Sequence, residues 1–203
     1  MHQKIIANIK NILYKNFKHF CANLGPKYFK PGFHAYRKTK DGVFVPSSIE
    51  EHYDLAQALP LNDYQLIIDF GHGLASSLVP YALKDLPGLG IESDQSLFNK
   101  SKLYIQQIQN IFPKMAKIEL IKQSLYKFSF KKFSSPILVF YYFNHDDNFI
   151  YYLSNRLKAE APKNSLFIYL GPHHYLIHKI IPYAKELNSL RKKMWLYYFF
   201  RIK

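Results

Sequence analysis

From residue 65 to residue 170, five short apolar runs alternate with stretches of helical periodicity, and few architectures can accommodate that alternation. The runs are 65–70, 89–92, 118–122, 137–142 and 166–170; helices are expected at 74–83, 96–111 and 147–159. Pro80 should kink or shorten the first of these helices, because it has no N–H to donate and its ring crowds the preceding turn. Residues 137–142 are rich in β-branched and aromatic side chains, as a central strand is. Strand, helix, strand in this order predicts an α/β, mostly parallel, doubly wound sheet covered on both faces. Two further strands, 177–184 and 194–202, joined through Asn188 and Ser189, are expected to close it as a C-terminal antiparallel hairpin.

The N-terminal part is different. Ile5, Ile6, Ile9, Ile12, Leu13, Phe17 and Phe20 recur at helical spacing with lysines between them, a basic amphipathic helix that could dock on its own domain or on a membrane surface. Gly25, Pro26, Pro31, Gly32, Gly42 and Pro46 make 21–46 read as a loop-rich linker. Ser47 and Ser48 with Glu50 and Glu51 form overlapping capping boxes that start a helix running to about residue 59. The division expected is a basic segment, 1–40, followed by one domain, 41–203.

The formal charge of +14 belongs to the ends. Residues 1–40 carry nine basic side chains and no acid, and 187–203 carry five and no acid, so the part between is neutral. Basic ends suit phosphates or an anionic membrane face. Yet lysines outnumber arginines 24 to 4, and arginine is the residue that reads phosphate bidentately, so specific nucleic-acid binding is disfavoured. No run of eighteen apolar residues exists to span a bilayer. Cys21 is the lone cysteine, which excludes an intrachain disulfide and fits a reducing, cytoplasmic setting, with the inner face of a membrane as the place for peripheral contact.

The strongest chemical signal is Asp69-Phe70-Gly71-His72-Gly73, between an expected strand and an expected helix. Glycines there let the backbone turn sharply and come close to a nucleotide-like ligand. Nineteen residues past Gly73 stands Glu92, at the end of the second strand, where a carboxylate can accept ribose hydroxyls. A dinucleotide fingerprint requires a third glycine where Ser76 stands, which disfavours a nicotinamide-dependent oxidoreductase. The Asp-x-Gly-x-Gly form instead suits S-adenosylmethionine.

On these residues the chain resembles class I, seven-strand S-adenosylmethionine-dependent methyltransferases over about 42–203, which implies a Rossmann-like fold. Within them it looks like the small protein-lysine methyltransferases related to those that modify the ATP synthase c-subunit and the adenine nucleotide translocase. Phe44-Val45-Pro46-Ser47-Ser48 matches a Val-Pro-Thr-type segment, Asp69, Gly71 and Gly73 the glycine loop, Glu92 the ribose acid, and Leu170-Gly171-Pro172 echoes a Phe-Pro-like turn. Ala75 stands for that family's third loop glycine, His72 for a small residue, and Ser124 for an acid that contacts the adenine amine. The resemblance completes the cofactor pocket with Ser124, Leu125 and Phe140, and implies a lysine side chain of a protein as methyl acceptor.

Lysine must lose its proton before it attacks, and a dry aromatic pocket favours the neutral amine. Tyr141 and Tyr142, in the run Phe140-Tyr141-Tyr142-Phe143-Asn144, are the candidate acceptor-side residues, with Pro46 and Ser47 at the same mouth. Equally, that run reads as an aromatic core strand, and Ser47 as a helix cap. His173, His174 and His178 invite a metal, as does His145 beside Asp146 and Asp147, but no Cys pair or His-Glu-x-x-His accompanies them, and none is expected. The rival to an enzyme is a binding module that keeps the fold after its loop has drifted.

Overall fold

The structure, a computed structural model, describes residues 5–9, 11–12, 37–39, 42–44, 49–142, 147–170, 185–186 and 197–202. In chain order its elements are α1 (helical at 5–9 and 11–12), β1 (Arg37–Thr39), β2 (Gly42–Phe44), α2 (Ile49–Ala58), β3 (Ile67–Phe70), α3 (Val79–Ala82), β4 (Gly88–Glu92) and α4 (Gln95–Ile111). There follow β5 (Ile118–Lys122), β6 (Leu138–Tyr142), α5 (Asp147–Glu160), β7 (Leu166–Leu170), β8 (Lys185–Glu186) and β9 (Tyr197–Arg201).

Seven strands form one sheet in the order β5-β4-β3-β6-β7-β9-β8. β3 to β7 run parallel, and β9 pairs antiparallel with both β7 and β8. The expected mostly parallel, doubly wound sheet with a reversed C-terminal pair is therefore the observed one. The sheet buries two cores because its strands alternate sides. Ile67, Leu138, Phe140, Ile168 and Phe199 face a cluster shared with α2, α3 and α4, whereas Ile68, Phe70, Val139, Tyr141 and Phe167 face the cluster under α5. β3, β6 and β7 are apolar on both sides for this reason, apart from Asp69.

The ends of elements follow local chemistry. α4 starts where the Asp94 carboxylate accepts the Leu97 N–H at 2.8 Å, an N-cap. The helix expected after the glycine turn is indeed shortened. A 3-10 turn at Ser76–Leu78 precedes a four-residue α3 with Pro80 in its first turn, the place where a missing N–H costs least. Ile9 of α1 is fully buried in the first cluster, with Ile5 and Ile12 packed against that cluster.

Two findings depart from expectation. β1 and β2 pair antiparallel, Thr39 opposite Gly42, within the stretch 21–46 read as linker and on either side of residue 40. The C-terminal strand expected at 194–202 is seen as β9, but 177–184 lies outside the described residues, and β8 holds only the two residues after it.

The crossover from β5 to β6 contains no α-helix, only a 3-10 turn at Leu125–Lys127. Phe128 and Phe130 fill the face instead, their rings 5.3 and 5.6 Å from that of Phe70. Arg156 clips this loop to α5. Its guanidinium donates to the Phe128 carbonyl at 2.9 Å and meets Glu160 at 2.7 Å, while Glu160 accepts the Phe130 N–H at 3.0 Å.

Candidate functional site

β3 ends at the switch point of the sheet. Its neighbours β4 and β6 lie on opposite sides of it, so the chain departs in opposite directions at this point, the place where open α/β sheets bind ligands. Gly71 (φ +74°) and Gly73 (φ +55°) turn the backbone through left-handed conformations that side chains resist. The turn is stitched to β4 by Gly71 N–H, which donates to the Ile91 carbonyl at 2.8 Å. Gly71 is exposed at the mouth, and the residues after it are buried. Leu125 closes the opposite side, its Cδ1 4.0 Å from where a Cβ on Gly71 would stand. Ser124 is half-buried beside it, and its hydroxyl does not cap the turn that follows.

Glu92 stands over the turn. Its Oε2 accepts the Gly73 N–H at 3.0 Å, and its Oε1 accepts the N–H groups of Ser93 at 2.9 Å and Asp94 at 2.8 Å. Burial pushes the carboxyl pKa up, while these three donors pull it back. A carboxylate offers about four acceptor directions, so one remains for a ligand hydroxyl. Taking two hydroxyls would mean releasing an amide.

Asp69, in register with Phe140 on β6, is buried beneath the same turn. Its Oδ2 accepts the Ser77 hydroxyl. Burial raises its pKa to about 7, the Ser77 bond lowers it, and the nearby Glu92 charge raises it further. The Tyr81 hydroxyl is fully buried without a hydrogen-bond partner, its pKa raised by burial and by Asp69. Folded chains therefore keep the Asp69 proton between its ordinary pKa and about 7, where unfolded chains have released it. Stability falls as pH rises through that interval. Urea midpoints of the wild type and Asp69→Asn, measured from about pH 4 to about pH 8, should agree at the acid end and separate in favour of the variant at the alkaline end. Parallel curves would refute this assignment.

His72 does not enter the crevice. Its ring lies on β4, with Cδ2 2.5 Å and Cγ 2.8 Å from the place of a Cβ on Gly90, so only glycine fits there. Its Nδ1 is 3.0 Å from the Gly73 carbonyl oxygen, and its pKa falls to about 4 on burial, which leaves the imidazole neutral. Gly88, on the same face, gives the same room to Leu78, whose Cβ is 3.3 Å from the corresponding position. Two glycines at a spacing of two let residues 72–78 lie flat against the strand. Ala75 holds a left-handed conformation (φ +61°) with its methyl buried in the first cluster.

On the acceptor side the structure separates the two tyrosines. Tyr142 shares its face with Asp69 and Phe140, is half-buried, and has its pKa pushed up to about 12 by burial and by Glu51 of α2. Tyr141 points the other way, buried against Phe149 at 5.1 Å and Tyr169 at 6.3 Å, so it is a core residue and not part of this mouth. Phe140 lies one layer below the cleft, its ring 4.6 Å from that of the buried His52. Ser77, Tyr81 and His52 were not singled out from sequence, and Glu51 only as part of a capping box. Only the Gly88-x-Gly90 spacing signalled that something packs closely there. Pro46, Ser47, Phe143, Asn144, His145, Asp146, Gly171, Pro172 and the histidines at 173, 174 and 178 lie outside the described residues. Among the described residues no three His, Cys, Asp or Glu side chains gather as metal ligands, and no helix is long and apolar enough to cross a membrane.

No protein-family model and no curated protein sequence matches the chain. Solved structures do. An RNA methyltransferase from Salinibacter ruber, in complex with S-adenosyl-L-homocysteine, superposes with a TM-score of 0.58 at 15% identity, over 78% of this chain and 94% of that one. A magnesium protoporphyrin IX methyltransferase from Synechocystis, with bound S-adenosylmethionine, gives 0.57 at 13% identity, over 76% and 78%. At such identities the likeness is one of fold. The sheet and its helices have the Rossmann-like methyltransferase fold.

Proposed function

We propose that the protein is an S-adenosylmethionine-dependent methyltransferase acting on an amine, a lysine side chain of a protein. The observation that supports this best is the Glu92 carboxylate held 3.0 Å from the Gly73 N–H, above a left-handed glycine turn at the switch point of the sheet. The residues fit such a cofactor. Gly71 has no Cβ at the mouth, Glu92 keeps an acceptor for a ribose hydroxyl, and Leu125 and Ser124 border the adenine side.

The cofactor supplies a methyl group on a sulfonium, already bonded to a good leaving group. The chain's residues position it and keep water out. Glu92 and the Gly71–Gly73 backbone hold the nucleoside and the amino-acid portion. Asp69, below them, sets the charge of the pocket through its proton. Tyr142 gives the acceptor side an aromatic face that disfavours the hydrated ammonium form of an amine.

Two of the three departures from the lysine methyltransferases are absorbed by the protein itself. The His72 ring is accommodated by Gly90 and the Ala75 methyl by the core, so neither obstructs the crevice. This favours an enzyme over a drifted binding module. The two solved relatives named above act, by their descriptions, on an RNA and a porphyrin, so the fold does not choose the acceptor. Isothermal calorimetry with S-adenosylmethionine, its demethylated product and NAD should show heat for the first two alone. Binding of NAD would favour an oxidoreductase, and binding of none a non-catalytic module.

A further inference from the structure

β5 is the outer strand of the sheet, paired among the described residues with β4 alone. Gly88 N–H donates to the Lys117 carbonyl at 2.9 Å, and Gln123 N–H donates to that of Glu92 at 3.0 Å. In a parallel ladder every second residue turns its N–H and C=O to a given neighbour. Lys117, Glu119 and Ile121 thus face β4, and Ile118, Leu120 and Lys122 present their backbone groups along the free edge. Their side chains lie on the α4 side, where Ile118 and Leu120 floor a groove of about 650 Å³ walled by Asn99, Lys102, Leu103 and Gln106. Leu103 is 57% exposed in it.

The groove has a sign. Although the middle of the chain is neutral as a whole, residues 98–135 contain eight lysines and one acid, Glu119, which lies 3.8 Å from Lys117. Lys102, Lys117, Lys122 and Lys127 are exposed around the edge.

We propose that this edge receives an extended acidic segment of a partner protein as an additional strand. Main-chain hydrogen bonds form to Ile118, Leu120 and Lys122, alternate apolar side chains enter the groove beside the stems of Lys102 and Lys122, and the carboxylates between them fall on the opposite face, with Lys117. A second copy of this chain is a poor occupant, because edge-to-edge pairing would set lysine against lysine. The strand leads into Ser124 and Leu125, so a docked segment would run towards the crevice, but the inference does not depend on what binds there.

Fluorescence anisotropy on the full chain tests it, with a short labelled peptide alternating valine and glutamate. Saturable binding is expected, with little for the same peptide carrying lysine in place of glutamate. N-methylation of alternate backbone amides in the peptide should weaken it by at least about tenfold, because a strand needs those donors. The double variant Lys102→Glu/Lys117→Glu, with unchanged circular dichroism, should weaken it by about tenfold as well. Equal affinity for the N-methylated peptide would overturn the proposal. So would binding of single-stranded oligouridine that the double variant abolishes while the peptide fails to bind, or dimerisation through this edge in sedimentation.

Discussion

Glu92→Ala should weaken calorimetric binding of S-adenosylmethionine by about ten- to a hundredfold, while the far-ultraviolet circular dichroism stays native. A charge-assisted hydrogen bond to a ribose hydroxyl contributes about 1.5–3 kcal/mol. The substitution also releases the Gly73 N–H, which holds the turn in shape. Leaving that buried donor without an acceptor should cost about 1–3 kcal/mol of stability, visible as a lower urea midpoint. Ser93 and Asp94 can exchange the carboxylate for water, as they begin a helix. Glu92→Gln separates the two roles: it keeps an oxygen for the turn but not the charge, so the midpoint should largely recover while binding stays weak. Wild-type affinity in the alanine variant would refute the ribose role, and with it the nucleoside reading of the crevice.

Gly90→Ala is the second change with a large expected effect. Its methyl would stand 2.5 Å from His72 Cδ2 and 2.8 Å from Leu120 Cδ2, inside van der Waals contact on both sides. Overpacking of this kind costs about 1–3 kcal/mol, and here the ring that must move belongs to the glycine turn. The thermal midpoint should fall by roughly 2–12 °C for a chain of this length. His72→Ala in the same chain removes the ring from that contact and should restore much of the loss, a coupling of about 1 kcal/mol or more in a double-mutant cycle. Additive effects in the two single variants would show that His72 does not rest on Gly90.

The five parallel strands were readable because each is an apolar run bounded by turn residues, and α4 announces itself through Asp94 and its periodicity. The glycine turn and Glu92 were readable because their spacing spans one strand–helix–strand unit. Tyr141 and Tyr142, taken together from sequence, lie on opposite faces of β6. Neighbours in a strand face opposite sides, so once Asp69 is aligned with Phe140 only Tyr142 can share its face. The alternation was in the sequence, but the register between β3 and β6 was not. The contact between Asp69 and Ser77 was hidden for another reason: a 3-10 turn and a left-handed alanine, neither with a sequence signature of its own, bring residues eight apart together. The β1–β2 hairpin is too short for periodicity to reveal.

The loop between β5 and β6 is a lever with two ends. At one end stands Leu125, facing Gly71; at the other, Phe128 is held to α5 by the Arg156 guanidinium and Phe130 by the Glu160 carboxylate. A helix in that position would be anchored by its own backbone ladder and would isolate the two ends from one another. With rings and a few side-chain bonds in its place, that face is built from fewer residues, and its order depends on α5 as well as on the loop itself.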